Sequence, residues 1–294
     1  MTERARRVDL RRGWRALKDG VGSRATIHMK GVDFRIPSVG GMRCTITDPW
    51  MLDVLELLFA IRKGPLIDVG ANLGQTLIKA KAIDPSLRYI GIEPNPACVF
   101  YLLELAKENR FDDCSILPIG LSSEDRISTL DLYSDEAACE SASLIREFRP
   151  AQLIRKHLFV PVFRWPTVAH VLEIDDVSLI KIDVEGAELE VVATLEPFIR
   201  RHRPFVLLEV LPAYTRENAP RLERQQKLEN LFKEMRYLFY RVKKTADHRF
   251  AGLATLSSIG VQSCLTECDY VLVPSEADDR VLAASESRLL PDSP

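Results

Sequence analysis

The sequence is short of the features that mark several protein classes. Its six cysteines, at 44, 98, 114, 139, 264 and 268, include no Cys-x-x-Cys pair. That spacing argues against a zinc ribbon and fits a reducing compartment. Charge of one sign is lacking: 40 Lys and Arg stand against 42 Asp and Glu, for a net charge of −2. No overall field draws such a chain onto nucleic acid or anionic lipid. Long apolar runs are missing. The longest uncharged stretch, 250–266, is interrupted by Ser, Thr, Gly and Gln and does not read as a membrane span. The Arg-rich start has no apolar segment of the secretory type, so the expected setting is the cytoplasm. With 46% hydrophobic and 28% charged residues, what is there is ordinary globular composition. Its 294 residues suffice for one large or two small α/β domains.

Along the chain, residues up to Arg24 carry eight basic against three acidic side chains. Leu10, Trp14, Leu17 and Val21 fall at helical spacing, weakened by Gly13. A terminal helix packing Trp14 on the domain is the favoured expectation, and a weak membrane-surface contact through residues 1–24 is the alternative. Ala25–Met29 and Asp33–Pro37 read as a small hairpin. Asp48 as cap and Pro49 at the first position start a helix over Trp50–Ile61. Apolar runs then alternate with helical stretches: Leu66–Val69 and Thr76–Ile83, Tyr89–Ile92 and Pro96–Asn109, Ser115–Leu121, Leu179–Ile182 and Ala187–Arg201, Phe205–Val210 and Arg221–Met235. This alternation predicts a mostly parallel sheet with helices on both faces. Tyr237–Val242 and Asp269–Val273 have no convincing helix between them and should pair antiparallel. Ile127–Tyr133 and Phe159–Phe163 are further strand candidates. The expected division is an N-terminal arm over 1–63, a catalytic domain over 64–274 with an insertion around 134–170, and a flexible tail over 275–294.

The stretch Leu66-Ile67-Asp68-Val69-Gly70-Ala71-Asn72-Leu73-Gly74-Gln75-Thr76 is the most informative. A buried strand ends at an acid, and a small-residue loop leads into a helix, where backbone can approach a ligand. The dinucleotide fingerprint is Gly-x-Gly-x-x-Gly, whereas this loop is Gly70-x-Asn72-x-Gly74. An acid beside it suits a cationic ligand group such as an α-ammonium and would repel a pyrophosphate. Glu93 closes the next strand, where a carboxylate accepts both hydroxyls of an unphosphorylated adenosine ribose. Asp183, Glu185 and Glu188 cluster after Leu179–Ile182, and Glu209 ends the following strand. Helix capping explains Glu188 well; Asp183 should face the cleft. Acids at 68, 93, 183 and 209 thus converge on the carboxyl edge of the sheet.

On "LIDVGANLGQT" (66–76), "YIGIEPNP" (89–96), "LIKIDVEGAELEVV" (179–192) and "FVLLEV" (205–210), the chain resembles the FkbM-type family of S-adenosylmethionine-dependent methyltransferases. The resemblance spans roughly 66–211, and more loosely reaches 273. It implies a doubly wound, Rossmann-like, seven-stranded and mostly parallel class I methyltransferase sheet with an antiparallel C-terminal strand pair. It also implies transfer of a methyl group from S-adenosylmethionine to a hydroxyl of a sugar, glycolipid or secondary metabolite. Asp68, Gly70, Asn72 and Gly74 would hold the methionine part of the cofactor, with Gln75 and Thr76 opening the helix behind them. Glu93 would hold the ribose, followed by Pro94 and Asn95, and Leu121 and Ser122 would lie near the adenine. Asp183 would face both methyl donor and acceptor. The family's Thr-Leu-Asp-Asp-like stretch before the fourth strand is replaced here by Trp165–Leu172.

For the chemistry, a hydroxyl acceptor must lose a proton, and Asp183 is the expected base, with Glu185 second and His170 a weaker candidate. A Mg²⁺ held by Asp183, Glu185 and Glu209 is the less favoured alternative, and the expectation is that no metal is needed. The competing readings are a nicotinamide-dependent oxidoreductase and a non-catalytic S-adenosylmethionine-binding module. The expected partner is a small molecule or carbohydrate, not nucleic acid.

Overall fold

A computed structural model describes residues 25–146, 148–174 and 176–289. The amphipathic stretch expected within residues 1–24 lies outside the described residues. Strands β1 (Ala25–Met29) and β2 (Val32–Ile36) form an antiparallel hairpin across Lys30-Gly31. Helix α1 (Pro49–Ile61) follows. Asp48 precedes it in a left-handed conformation and makes no side-chain cap. Its carboxylate instead accepts hydrogen bonds from Trp50 Nε1 at 3.1 Å and Thr47 Oγ1 at 2.8 Å, which corrects the expected capping role.

The central unit then builds in order: β3 (Leu66–Val69), α2 (Gln75–Ile83), β4 (Tyr89–Ile92), α3 (Pro96–Asn109) and β5 (Cys114–Leu117). The strand expected over 115–121 divides at Pro118, which has no N–H for a sheet ladder. Beyond it, β6 (Gly120–Leu121) joins a separate three-stranded sheet with β7 (Arg126–Leu132) and β8 (Lys156–Phe163). A short helix, α4 (Trp165–Leu172), leads to β9 (Leu179–Ile182), α5 (Glu188–His202), β10 (Phe205–Glu209) and α6 (Ala219–Glu234). The chain closes through β11 (Tyr237–Lys244), β12 (Phe250–Leu256), β13 (Asp269–Pro274) and α7 (Asp278–Leu289).

The main sheet has eight strands in the order β12-β11-β13-β10-β9-β3-β4-β5, not the seven expected. The addition is β12, which pairs antiparallel with β11 at the edge. Gly252 within it and the serines and glutamine that follow it hide it from a periodicity reading. From β10 to β5 the pairings are parallel, and β13 runs antiparallel between β10 and β11. Alternate residues of the central strands enter two apolar clusters: Leu66, Leu179 and Leu207 join one with α1, α2 and α3, while Ile67, Ile180 and Leu208 join the other with α5 and α6. The sheet is therefore packed with helices on both faces.

The flexible tail expected over 275–294 is corrected for its described part, which ends at 289; residues 290–294 lie outside the described residues. Helix α7 buries Val281 completely and packs on α1, with Arg288 3.2 Å from Glu56. Its apolar residues are too few among acids and serines for the sequence to announce it. Among the described residues no helix is long and apolar enough to cross a membrane.

The topology fixes where a ligand can sit. The chain leaves β3 for β4 on one side and returns to β9 on the other. The helices that follow β3 and β9 go to opposite faces of the sheet, α2 to one and α5 to the other, and leave a crevice above the two strand ends.

Candidate active site

A cleft of about 340 Å³ occupies this crevice. Its floor is the loop after β3. Gly70 adopts φ +86° and donates its N–H to the Ile92 carbonyl at 2.9 Å. A Cβ built there would lie 1.8 Å from the carbonyl oxygen of Asp183, so only glycine fits. Asn72, at φ +45°, donates its N–H to Glu93 Oε2 at 2.9 Å. Asn95 donates its N–H to the other oxygen, Oε1, at 2.8 Å. The two bonds set the Glu93 carboxylate edge-on at the end of β4, and each oxygen keeps a lone pair free. Burial pushes its pKa up to about 7 against the opposing pull of these two N–H groups.

Residues 68, 91 and 181 stand side by side on adjacent strands and share a face of the sheet. Gly91 has no side chain, and a Cβ there would meet the Tyr89 ring at 2.8 Å. The ring thus lies over the glycine, and Tyr89 Oη donates to Asp68 Oδ2 at 2.5 Å. Lys181, only 5% exposed, places Nζ 3.4 Å from Asp68 Oδ1 and 3.2 Å from Asp183 Oδ2. Burial alone would lower its pKa, but the charges of Asp183 and Asp68 more than offset that and raise it. Glu209 follows on the same face of β10. The Asp183 charge, then burial, then Asp269 drive its pKa strongly upward.

Residues 137–146, with 148 and 149, lie along one side of the cleft as a strap. Cys139, Glu140, Ala142 and Leu144 line it from this side. Asn95 Nδ2 donates to the Ala137 carbonyl at 2.8 Å, and Ser143 Oγ donates to the Glu185 carbonyl at 2.7 Å. Arg149 donates to the Glu185 carboxylate at 2.6 Å and to the Ser141 carbonyl at 3.0 Å. Glu185, at φ +52°, has its pKa raised to about 7 by burial and the Asp183 charge, against Arg149. Gly186 completes the seat: a Cβ there would strike the Phe148 ring at 2.4 Å.

The predicted site residues divide into two groups. Gly70, Asn72, Gln75, Thr76, Glu93, Pro94, Leu121, Asp183 and Glu185 all line the cleft. The others do not, and each has a different physical occupation. Asp68 is fully buried beneath the loop, held by Tyr89 and Lys181, because its place on β3 turns it toward the α1 face. Gly74 opens α2 at φ +85° and lets α3 approach, since a Cβ would stand 2.8 Å from Leu105. Asn95 is buried and caps α3 by accepting from Ala97 N–H at 3.0 Å. Ser122 is buried and donates its backbone N–H to the Phe163 carbonyl. His170 is exposed on α4 and lines no part of the cleft, because α4 turns Trp165 and Val168 inward instead. It therefore has no access to the cleft as a base. Glu188 accepts from Gly186 N–H at 2.8 Å, which ties the loop before α5 to its first turn; the helix itself has no side-chain cap.

Sequence reading missed Lys181, Arg149 and the Thr47–Met51 corner. A lysine between two isoleucines of a buried strand was the one available signal, since such a charge needs paired acids. Six carboxylates line the cleft, from Asp48, Glu93, Glu140, Asp183, Glu185 and Glu209, and Lys181 is the one cationic side chain among its described lining residues. A second cavity of about 190 Å³ adjoins it and shares Asp48, Met51, Lys181, Asp183 and Glu209. No His, Cys, Asp or Glu side chains among the described residues gather into a metal-binding group.

Comparison with known proteins gives a match to the methyltransferase FkbM domain over residues 68–250. No curated protein matches the chain. Among solved structures, the methyltransferase FkbM from Methylobacillus flagellatus KT is similar at 16% identity and TM-score 0.44, covering 71% of this chain and 43% of that one. The chain thus spans less than half the length of that protein. An O-methyltransferase from Bacillus cereus in complex with SAH is similar at 10% identity and TM-score 0.45, covering 77% of this chain and 80% of that one. A putative caffeoyl-CoA O-methyltransferase from Staphylococcus aureus is similar at 12% identity and TM-score 0.45, covering 78% and 84%.

Proposed function

The chain belongs to the FkbM methyltransferase family, and on that premise we propose that it is an S-adenosylmethionine-dependent O-methyltransferase acting on a hydroxyl of a sugar, glycolipid or secondary metabolite. The observation that carries this reading is Asp183. It stands in the wall shared by the two cavities and is one-third exposed at the side chain.

The residues present fit the cofactor. Gly70 lines the cleft without a side chain of its own, beside Asn72 and Glu93. Glu93 keeps acceptor capacity on both oxygens for two ribose hydroxyls. A lining rich in carboxylates favours a ligand with sulfonium and ammonium charges and opposes the phosphates of a nicotinamide dinucleotide. When bound, the cofactor supplies a methyl group activated for in-line displacement. The chain's own part is alignment and proton removal. Gly70, Asn72 and Glu93 orient the cofactor from the β3 and β4 side. The strap excludes water from the opposite side. Asp183 takes the proton of the acceptor hydroxyl. Glu185, tied to Arg149, holds the strap closed and stands second as a proton acceptor.

Titration calorimetry with S-adenosylhomocysteine and NAD tests the cofactor. Binding of the first and not the second is expected; the reverse overturns the proposal in favour of a nicotinamide-dependent enzyme. Mass spectrometry of polyol and glycoside mixtures incubated with S-adenosylmethionine tests the transfer. The expected product gains one methyl group, and Asp183→Asn loses turnover by about 10²-fold or more while still binding the cofactor. Cofactor binding with no transfer to any hydroxyl acceptor would point to the non-catalytic module.

A further inference from the structure

Three buried polar groups, Tyr89, Asp68 and Lys181, run in a line under the cleft to the partly exposed Asp183. Tyr89 Oη bonds Asp68 at 2.5 Å, Asp68 lies 3.4 Å from Lys181, and Lys181 bonds Asp183 at 3.2 Å. The strands supply this line by register alone, since Asp68 and Lys181 are opposed partners on β3 and β9. Only the last member reaches the cleft with appreciable exposure.

Lys181 also meets a surplus of acid. On the same face, Glu209 of β10 is the register partner of Asp269, which is paired to Lys244. Lys244 is therefore committed to Asp269 and stacks on Trp50. Glu93 and Lys79 act on Lys181's surroundings from β4 and α2, and Asp48 borders both cavities. Asp183 and Glu209 both line the adjoining cavity, which Lys244 and His248 also border, and Lys181 is the cation in contact with Asp183. Two such carboxyls in a partly dry site cannot both be ionised without a partner. The lysine bonds Asp183, while the Asp183 charge and burial drive the Glu209 pKa strongly upward.

We propose that Lys181 is the positioning residue of this site: it anchors Asp183 from below and makes it the ionised member of the Asp183–Glu209 pair. Asp68 and Tyr89 act through it, holding the ammonium at the height of the Asp183 carboxylate. This rests on the methyltransferase reading only for what the ionised Asp183 is used for. The charge division itself is a property of the free protein.

The test is a pH titration of the Asp183 carboxyl by ¹³C NMR, in protein labelled at its aspartate carboxyls and without cofactor. In Lys181→Met the Asp183 titration is expected to move up by about 1–3 pH units, as for a carboxylate losing a cation within contact distance. In Asp68→Asn the opposite sign is expected. Tyr89 still finds an acceptor, Lys181 belongs to Asp183 alone, and one nearby negative charge is gone, so Asp183 titrates lower. A folded Lys181→Met with an unmoved Asp183 titration overturns the proposal. If that variant does not fold, Asp68→Asn decides: a downward shift supports the proposal, and no shift or an upward one overturns it. Calorimetry with S-adenosylhomocysteine on the wild type separates the two claims. Its failure removes the methyltransferase reading and leaves the NMR result standing.

Discussion

The carbonyl oxygen of Asp183 occupies the space where a side chain on Gly70 would begin, 1.8 Å from the ideal Cβ position. The end of β9 and the loop after β3 are thus locked together, reinforced by the Asp183 N–H bond to the Val69 carbonyl at 3.0 Å. Gly70→Ala must push the strands apart and adopt a positive φ as well. We expect a loss of about 2–4 kcal/mol in stability and no measurable S-adenosylhomocysteine binding. Urea unfolding and calorimetry check the two effects; a variant that binds normally would show that the contact is dispensable.

The strap makes a second prediction. Arg149 joins Glu185 to the Ser141 carbonyl, so Arg149→Met removes both ties and leaves a half-buried carboxyl unpaired. S-adenosylhomocysteine affinity should fall by about tenfold, the equivalent of ~1.4 kcal/mol. Amide exchange should speed up at residues 137–146 and leave α3 unchanged. Equal affinity in the variant and the parent would dissociate the strap from cofactor binding.

Stability should fall as pH rises from about 5 to about 8. Burial raises the carboxyls of Glu93, Glu185 and Glu188 to about 7 in the folded protein. Their folded pKa values exceed their unfolded ones, so in this interval the folded state binds more protons and loses stability with increasing pH. Glu188→Gln keeps the acceptor for Gly186 N–H and removes the titration. Its unfolding midpoint in urea should exceed the parent's at pH 8 and approach it at pH 5. A variant that is less stable at both pH values would contradict the assignment.

Helix α7 is expected to be part of the core. Val281 is fully buried between α7 and its neighbours, so Val281→Asp should cost about 3 kcal/mol or more. Thermal unfolding measures it. An unchanged transition would restore the view of this segment as a tail.

Much of the fold was readable because its determinants are local. Runs such as Leu66–Val69, Tyr89–Ile92 and Leu179–Ile182 are short, apolar and punctuated, and they became the parallel strands of the core. Segments whose state depends on a partner were not readable. Phe250–Leu256 becomes a strand because β11 offers an edge, and Asp278–Leu289 becomes a helix because α1 offers a surface. The same division runs through the site. Glu93 and Gly70 reach the cleft by sequence position, since each directly follows a strand. Asp68 looked as well placed, and His170 was a weaker candidate; both are turned away from the cleft by the strand face and helix face on which they sit.

By itself, then, the sequence determined the alternation of strands and helices, the glycine loop and the acids at the strand ends. Periodicity and turn chemistry act within a few residues of each other and need no partner. Only the tertiary structure decided which of those acids meet water, which lysine stands between them, and how the strap closes over them. Burial and charge pairing belong to residues far apart in the chain, and only the register of β3 beside β9 brings Lys181 between Asp68 and Asp183.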